Sequence, residues 1–161
     1  MQLWEKIELS LFIIQQALEK YPRVFTTCSF GKDSRVMVDL VMKVDPQAEF
    51  IGIDTSYEFA ETLAFAEKLI AEAGMNFRWV QPPEEARRQI EADWGGSFIK
   101  NDQYKCCAMK LPAMLEAVTQ TSNSQAQKYG IQVVDVRAKL LNFPEKNRLS
   151  VFSRMKSERE R

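Results

Sequence analysis

The stretch Thr26–Val41, TTCSFGKDSRVMVDLV, decides the fold. An apolar run at residues 23–28, RVFTTC, stops at Ser29, and helical spacing begins almost at once with Val36, Met37, Leu40, Val41 and Val44. A parallel strand that feeds a helix this way leaves the helix N-terminus at the C-terminal edge of a sheet. Unpaired amides and the positive end of the helix dipole point outward there, which makes the corner an anion site. Gly31 lets the main chain approach a phosphate with no side chain in the way. Ser29 and Ser34 bring hydroxyl donors, Lys32 brings a point charge, and Asp33 or Ser34 can cap the helix. Phe30 lies inside the same turn. The residues also suit an ordinary capped turn; their place after the first strand of an α/β unit favours a ligand.

Outward from this corner the pattern alternates. Residues 2–20 carry Leu3, Ile7, Leu11, Ile14 and Leu18 at helical spacing, and Pro22 ends the helix. EFIGID at 49–54 and NFRWVQ at 76–81 read as strands. Residues 58–73 read as a helix stopped by Gly74. After Pro82-Pro83 a short helix covers EEARRQIEAD, WGGSFIKNDQYK reads as a loop, and helical spacing resumes from Met109 to Val118. This alternation implies a parallel sheet with right-handed crossovers, and the nearly all-apolar strands imply helices on both faces: an α/β fold of three layers. Thr119–Gln127, TQTSNSQAQ, is small and polar and reads as a linker. The expected organisation is thus an α/β unit with its phosphate corner over 1–118, a linker over 119–127, and a strand with a charged helix over 128–161.

Bulk composition narrows the function. Twenty-two basic residues balance 22 acidic ones, so no general attraction to nucleic acid is implied. No apolar run approaches the roughly 20 residues that span a bilayer, and the opening is acidic and amphipathic rather than a leader. Three cysteines do not make a secreted disulfide framework. The expectation is a cytoplasmic protein with reduced thiols. There is no histidine, which removes Ser-His-Asp and Cys-His mechanisms and the commonest zinc ligand; no metal ligand set is assigned.

SFGKDS resembles the SxGxDS pyrophosphate loop of the adenine nucleotide alpha-hydrolase-like superfamily, and within it the phosphoadenosine phosphosulfate (PAPS) reductase family. IDTSYEFAET resembles that family's DTGxxFxET segment, with Asp54, Thr55, Phe59, Glu61 and Thr62 matching and Ser56 in place of the glycine. Asp54 would meet a ribose or adenine edge or help hold Mg²⁺; as plain sequence it also fits a helix cap with Glu61 in the first turns. YKCCAMK resembles a CC-type segment in which Lys105 and Lys110 add positive charge near the nucleotide's sulfate or phosphate. The resemblance implies an adenine-nucleotide partner, ATP or an adenylyl sulfate such as PAPS. The binding residues it implies are Ser29, Phe30, Gly31, Lys32, Asp33, Ser34, Asp54, Thr55, Lys110 and Arg137. No catalytic residue is assigned. Iron–sulfur relatives use a CC pair and a later CxxC; here Cys106-Cys107 stands without the second pair, so no cluster is expected. Flanking lysines would lower the thiol pKa values.

KYGIQVVDVRAKL and RMKSERER resemble the end of the SPFH (band-7, prohibitin-like) domain of HflC-type proteins. This implies a fusion or chimera joined near 119–127, with the C-terminal helix as an alternative interaction element and a second copy of the chain as a partner.

Overall fold

The structure is a computed structural model that describes residues 2–100 and 103–133. Three parallel strands, β1 (Phe25–Thr27), β2 (Glu49–Ile53) and β3 (Asn76–Val80), lie side by side in chain order. Thr26 pairs with Phe50 and Phe50 with Phe77. The strands alternate with helices α1 (Leu3–Lys20), α2 (Lys32–Val44) and α3 (Ala60–Ala73), and α4 (Glu84–Trp94) follows β3. A two-residue hairpin, β4 (Ile99–Lys100) and β5 (Gln103–Tyr104), then leads into the long helix α5 (Lys105–Ala126) and one 3₁₀ turn at Gln127–Tyr129.

Side-chain alternation gives the sheet two apolar faces. On one, Cys28 and Phe50 meet Val38 and Val41 of α2 and Ala66 of α3, with Ile14 of α1 at the margin. On the other, Ile51 and Val80 meet Ala117 of α5. The molecule is therefore the expected α/β sandwich of three layers. Phe50 and Ile51 have no exposed surface, and burying each contributes about 1.5–3 kcal/mol. Gly52 is required by close approach: a Cβ there would stand 2.5 Å from Phe77 and 2.6 Å from Trp79.

Two local expectations change. The segment expected as a loop carries the β4–β5 hairpin. The polar tract expected as a linker from Thr119 is helical through Ala126. Its small side chains bond along the helix: Thr119 Oγ1 donates to the Leu115 carbonyl at 2.8 Å and Gln120 Nε2 to Glu116 at 2.8 Å. Arg78 on β3, paired with Glu49 at 2.6 Å, donates to Gln120 at 2.9 Å and to Thr121 at 3.3 Å. Sheet contacts thus override weak helix propensity. The 3₁₀ turn that follows the helix stops at Gly130, whose φ of 69° a glycine adopts without strain. Asn123 then clasps Val133, accepting its N–H at 2.6 Å and donating to its carbonyl at 2.9 Å. The strand and charged helix expected beyond this point lie outside the described residues.

Candidate nucleotide-binding site

The first crossover sets the site. Cys28 N–H donates to the Ile51 carbonyl at 2.9 Å, so pairing with β2 ends there. The chain then turns on Phe30, which adopts φ 59°. That is an uncommon conformation for a bulky residue and costs on the order of 1–3 kcal/mol. Burial holds it: Phe30 is 8% exposed, with its ring 5.4 Å from Phe77 and 5.7 Å from Trp79 between centroids. Gly31, the residue ahead of α2, is in ordinary extended backbone, and a Cβ on it would meet nothing nearer than Ser29 Oγ at 3.7 Å. The glycine therefore leaves room for an incoming group and is not needed to make the turn.

Ser34 does not cap α2. Its hydroxyl donates to the Gly31 carbonyl at 3.0 Å and stands 3.1 Å from Ser29 Oγ. No side chain caps the helix, and the first main-chain bond of this turn is Arg35 N–H to the Gly31 carbonyl at 3.0 Å. Among the described residues, the amides of Ser29, Phe30, Gly31, Lys32 and Ser34 have no hydrogen-bond acceptor. Lys32 and Asp33 open the helix, and both are exposed.

A cleft of about 450 Å³ opens beside this corner. Ser29, Phe30 and Ser34 line it from the loop, Glu58 and Thr62 from the start of α3, and Lys110 and Met114 from α5. Sequence-predicted residues 29, 30, 34 and 110 therefore share one cavity. Lys32 is exposed and does not line the cleft, and Arg137 lies outside the described residues.

The second corner, after β2, is built differently. Asp54 accepts the Ser56 N–H at 2.8 Å and the Gln81 amide at 2.7 Å. Thr55 has no exposed surface; its hydroxyl donates to Glu58 at 2.8 Å and its N–H to the same carboxylate at 3.1 Å. Tyr57 N–H adds a third bond at 3.2 Å. Asp54 and Thr55 are therefore engaged within the protein, and neither lines the cleft. The cap expected from Asp54 and Glu61 is not formed; Phe59 precedes α3 with no side-chain cap. Glu58 is the residue that sequence reading missed, because an acid just ahead of a helix looks like routine dipole complementation.

Cys106 and Cys107 open α5. Burial, and then the neighbouring Cys107, push the Cys106 thiol up, outweighing the opposite pull of Lys110. The expected lowering thus fails for Cys106. Lys105 does not reach it, because its Nζ donates to the Gly95 carbonyl at 2.9 Å. The third cysteine, Cys28, is in the core between sheet and α2.

A strand-to-helix corner that opens at the C-terminal edge of a parallel sheet is where α/β proteins of this class usually hold ligands. Residues 23–141 match the phosphoadenosine phosphosulfate reductase domain, and the chain belongs to that family. The match runs past the tract expected as a junction and takes in Arg137. Similar curated proteins include the adenosine 5'-phosphosulfate reductase of Geobacillus kaustophilus, 29% identical over 120 residues, covering 66% of this chain and 51% of that protein. Another is the sulfate adenylyltransferase subunit 2 1 of Alkalilimnicola ehrlichii, 30% identical over 105 residues, covering 63% of this chain and 33% of that one. The chain spans about half the length of the reductases it matches. The fold is shared with the phosphoadenylyl-sulfate reductase of Candida auris, solved as a phosphate complex (TM-score 0.51, 19% identity, 76% of this chain and 57% of that one). No described helix is long and apolar enough to cross a membrane.

Proposed function

We propose that this chain binds an adenine nucleotide, an adenylyl sulfate, PAPS or ATP, with the phosphates on the Ser29–Ser34 corner and the rest of the ligand in the adjoining cleft. The observation that carries this reading is the row of amides at Ser29–Lys32 and Ser34 without acceptors in the described protein, beside a cavity that Lys110 lines. Anions bind where such amides meet a helix N-terminus. The relatives named for adenylyl sulfate chemistry support the class of ligand, and the phosphate complex of the fungal reductase supports the anion.

The reading assigns binding, with incomplete catalytic machinery. Ser29 and Ser34 would turn their hydroxyls from each other to phosphate oxygens, and Lys32 and Lys110 would balance charge. No side chain in the cleft is assigned as nucleophile or general acid. Asp54, the carboxylate for Mg²⁺ in an ATP-splitting version, already holds donors on both oxygens; no step is routed through the metal. A further part of the reading is that Arg137 joins the site and that the protein works in the cytoplasm. A second reading, an SPFH-like interaction element or an inactive chimera, rests on the resemblance of residues 128–161, and the family match to residue 141 narrows it to the final stretch.

Calorimetric titration with adenylyl sulfate, PAPS and ATP tests the proposal. Binding of at least one is expected, weakened about tenfold in Lys32→Ala, the size of a charge-assisted contact of roughly 1.5–3 kcal/mol. Absence of binding by all three at millimolar concentration would overturn it.

A further inference from the structure

Helices α2 and α3 pack on the same face of the sheet, and they leave a crevice of about 270 Å³ between them, behind the phosphate corner. The sequence builds its walls. On α2, Arg35, Val38, Asp39, Met42 and Lys43 recur three and four residues apart and share one side of the helix. Opposite them stand Leu69 and Ala73 of α3 and, just past the stop at Gly74, Met75. Cys28 and Phe30, where β1 gives way to the loop, complete the lining. Val38, Met42, Leu69 and Met75 all belong to the core cluster of this face or pack against it, so the interior of the crevice is apolar. Close-packed proteins rarely leave apolar room of this size unfilled. Two methionines in the walls let the space adapt to an occupant. The volume is a little below the roughly 300–1,000 Å³ of sites for drug-sized ligands, which calls for a smaller molecule.

The charged residues of the lining, all exposed, identify the class of that molecule. Lys43 Nζ holds Asp39 at 2.7 Å, which makes a neutral pair. Among the described residues, the Arg35 guanidinium has no hydrogen-bond or ion-pair partner. One uncompensated positive charge beside an apolar slot matches an apolar body with a single anionic head. A cationic head would find Asp39, the lone carboxylate of the lining, already taken. The Arg35 main chain is also tied to the corner, its N–H donating to the Gly31 carbonyl at 3.0 Å.

We infer that this crevice is a second ligand site, for a small amphiphilic anion of the medium-chain carboxylate class, with the chain between α2 and α3 and the carboxylate on Arg35. Cys28 and Phe30 line both this crevice and the nucleotide cleft. An occupant therefore packs against the side chain that holds the loop at φ 59° and restrains the phosphate corner. The second site does not depend on the nucleotide reading.

A nuclear magnetic resonance titration of the full chain with sodium octanoate, labelled at methionine methyls and main-chain amides, tests this. Saturable shifts at the Met42 and Met75 methyls are expected, with a sub-millimolar dissociation constant. Hexanoate should bind about tenfold more weakly, because two fewer methylenes are buried. Arg35→Gln should weaken octanoate about fivefold and leave octanol unchanged. Ala73→Leu, which fills the slot from an exposed helix position, should abolish binding of both. Circular dichroism checks that each variant is folded. Octanoate at saturation should slow hydrogen exchange of the Phe30 and Gly31 amides several-fold, a readout that needs no nucleotide and stands whether or not nucleotide binds. The inference is overturned by absence of saturable Met42 and Met75 shifts at millimolar octanoate, or by octylamine binding as tightly as octanoate. Unweakened binding in Ala73→Leu, or unchanged exchange at Phe30 with the site full, overturns it equally.

Discussion

The two strand-to-helix corners at the C-terminal edge of the sheet share a shape and differ in how they are satisfied. Each turns through one non-glycine residue with positive φ: 59° at Phe30 and 64° at Ser56. The first kink is pinned from below by an aromatic side chain seated on Phe77 and Trp79, which leaves the amides of its loop without acceptors in the described protein. The second is pinned from within, where Asp54 and Glu58 accept the main-chain N–H groups of Ser56, Thr55 and Tyr57. Similar backbone geometry therefore gives one corner that is open to an anion and one already filled by the protein's own carboxylates. What makes an anion site is the choice of anchor, apolar or acidic, more than the turn itself.

The comparison can be broken most forcefully at its anchor. Phe30→Ala removes a buried ring and keeps the unfavourable φ. A loss of about 3–5 kcal/mol in unfolding free energy is expected by denaturant melts, with nucleotide binding lost as well. A mutant that keeps both would show that the ring does not hold the loop. Glu58→Gln should cost less, about 1–3 kcal/mol, because one buried amide donor of the second corner loses its partner. Binding at the first corner should change by no more than a few-fold; a larger loss would make Glu58 part of the ligand site that it lines. Gly31→Ala should leave stability within about 0.5 kcal/mol, since no atom lies closer than 3.7 Å to the new methyl. Its effect should fall on affinity alone, a drop of roughly tenfold from crowding the phosphate.

The first corner was legible in the sequence because SFGKDS combines a strand end, a small residue and a helix start within six positions. The parallel sense of the strands and a sheet covered on both faces followed from alternation, whereas the strand order came from the structure. The role of Phe30 was not legible: its partners Phe77 and Trp79 are more than forty residues away, and nothing local tells an anchoring aromatic from a ligand-facing one. Thr55 and Glu58 were obscured in the same way, since a Thr three residues before a Glu reads as an ordinary cap until the buried hydroxyl is seen on the carboxylate. The helix over 119–126 was hidden by its own polarity and depends on Arg78, again a distant residue. Spacing revealed where the chain turns, and long-range contacts decided which turn stays open.

The most direct measurement is an amide-resolved nuclear magnetic resonance titration of the ¹⁵N-labelled protein with adenylyl sulfate. The account predicts that the largest shifts fall on Ser29, Gly31, Lys32 and Ser34, while Thr55, Ser56 and Tyr57 move little. Saturable shifts centred on the second corner, or none at Ser29–Ser34, would contradict it.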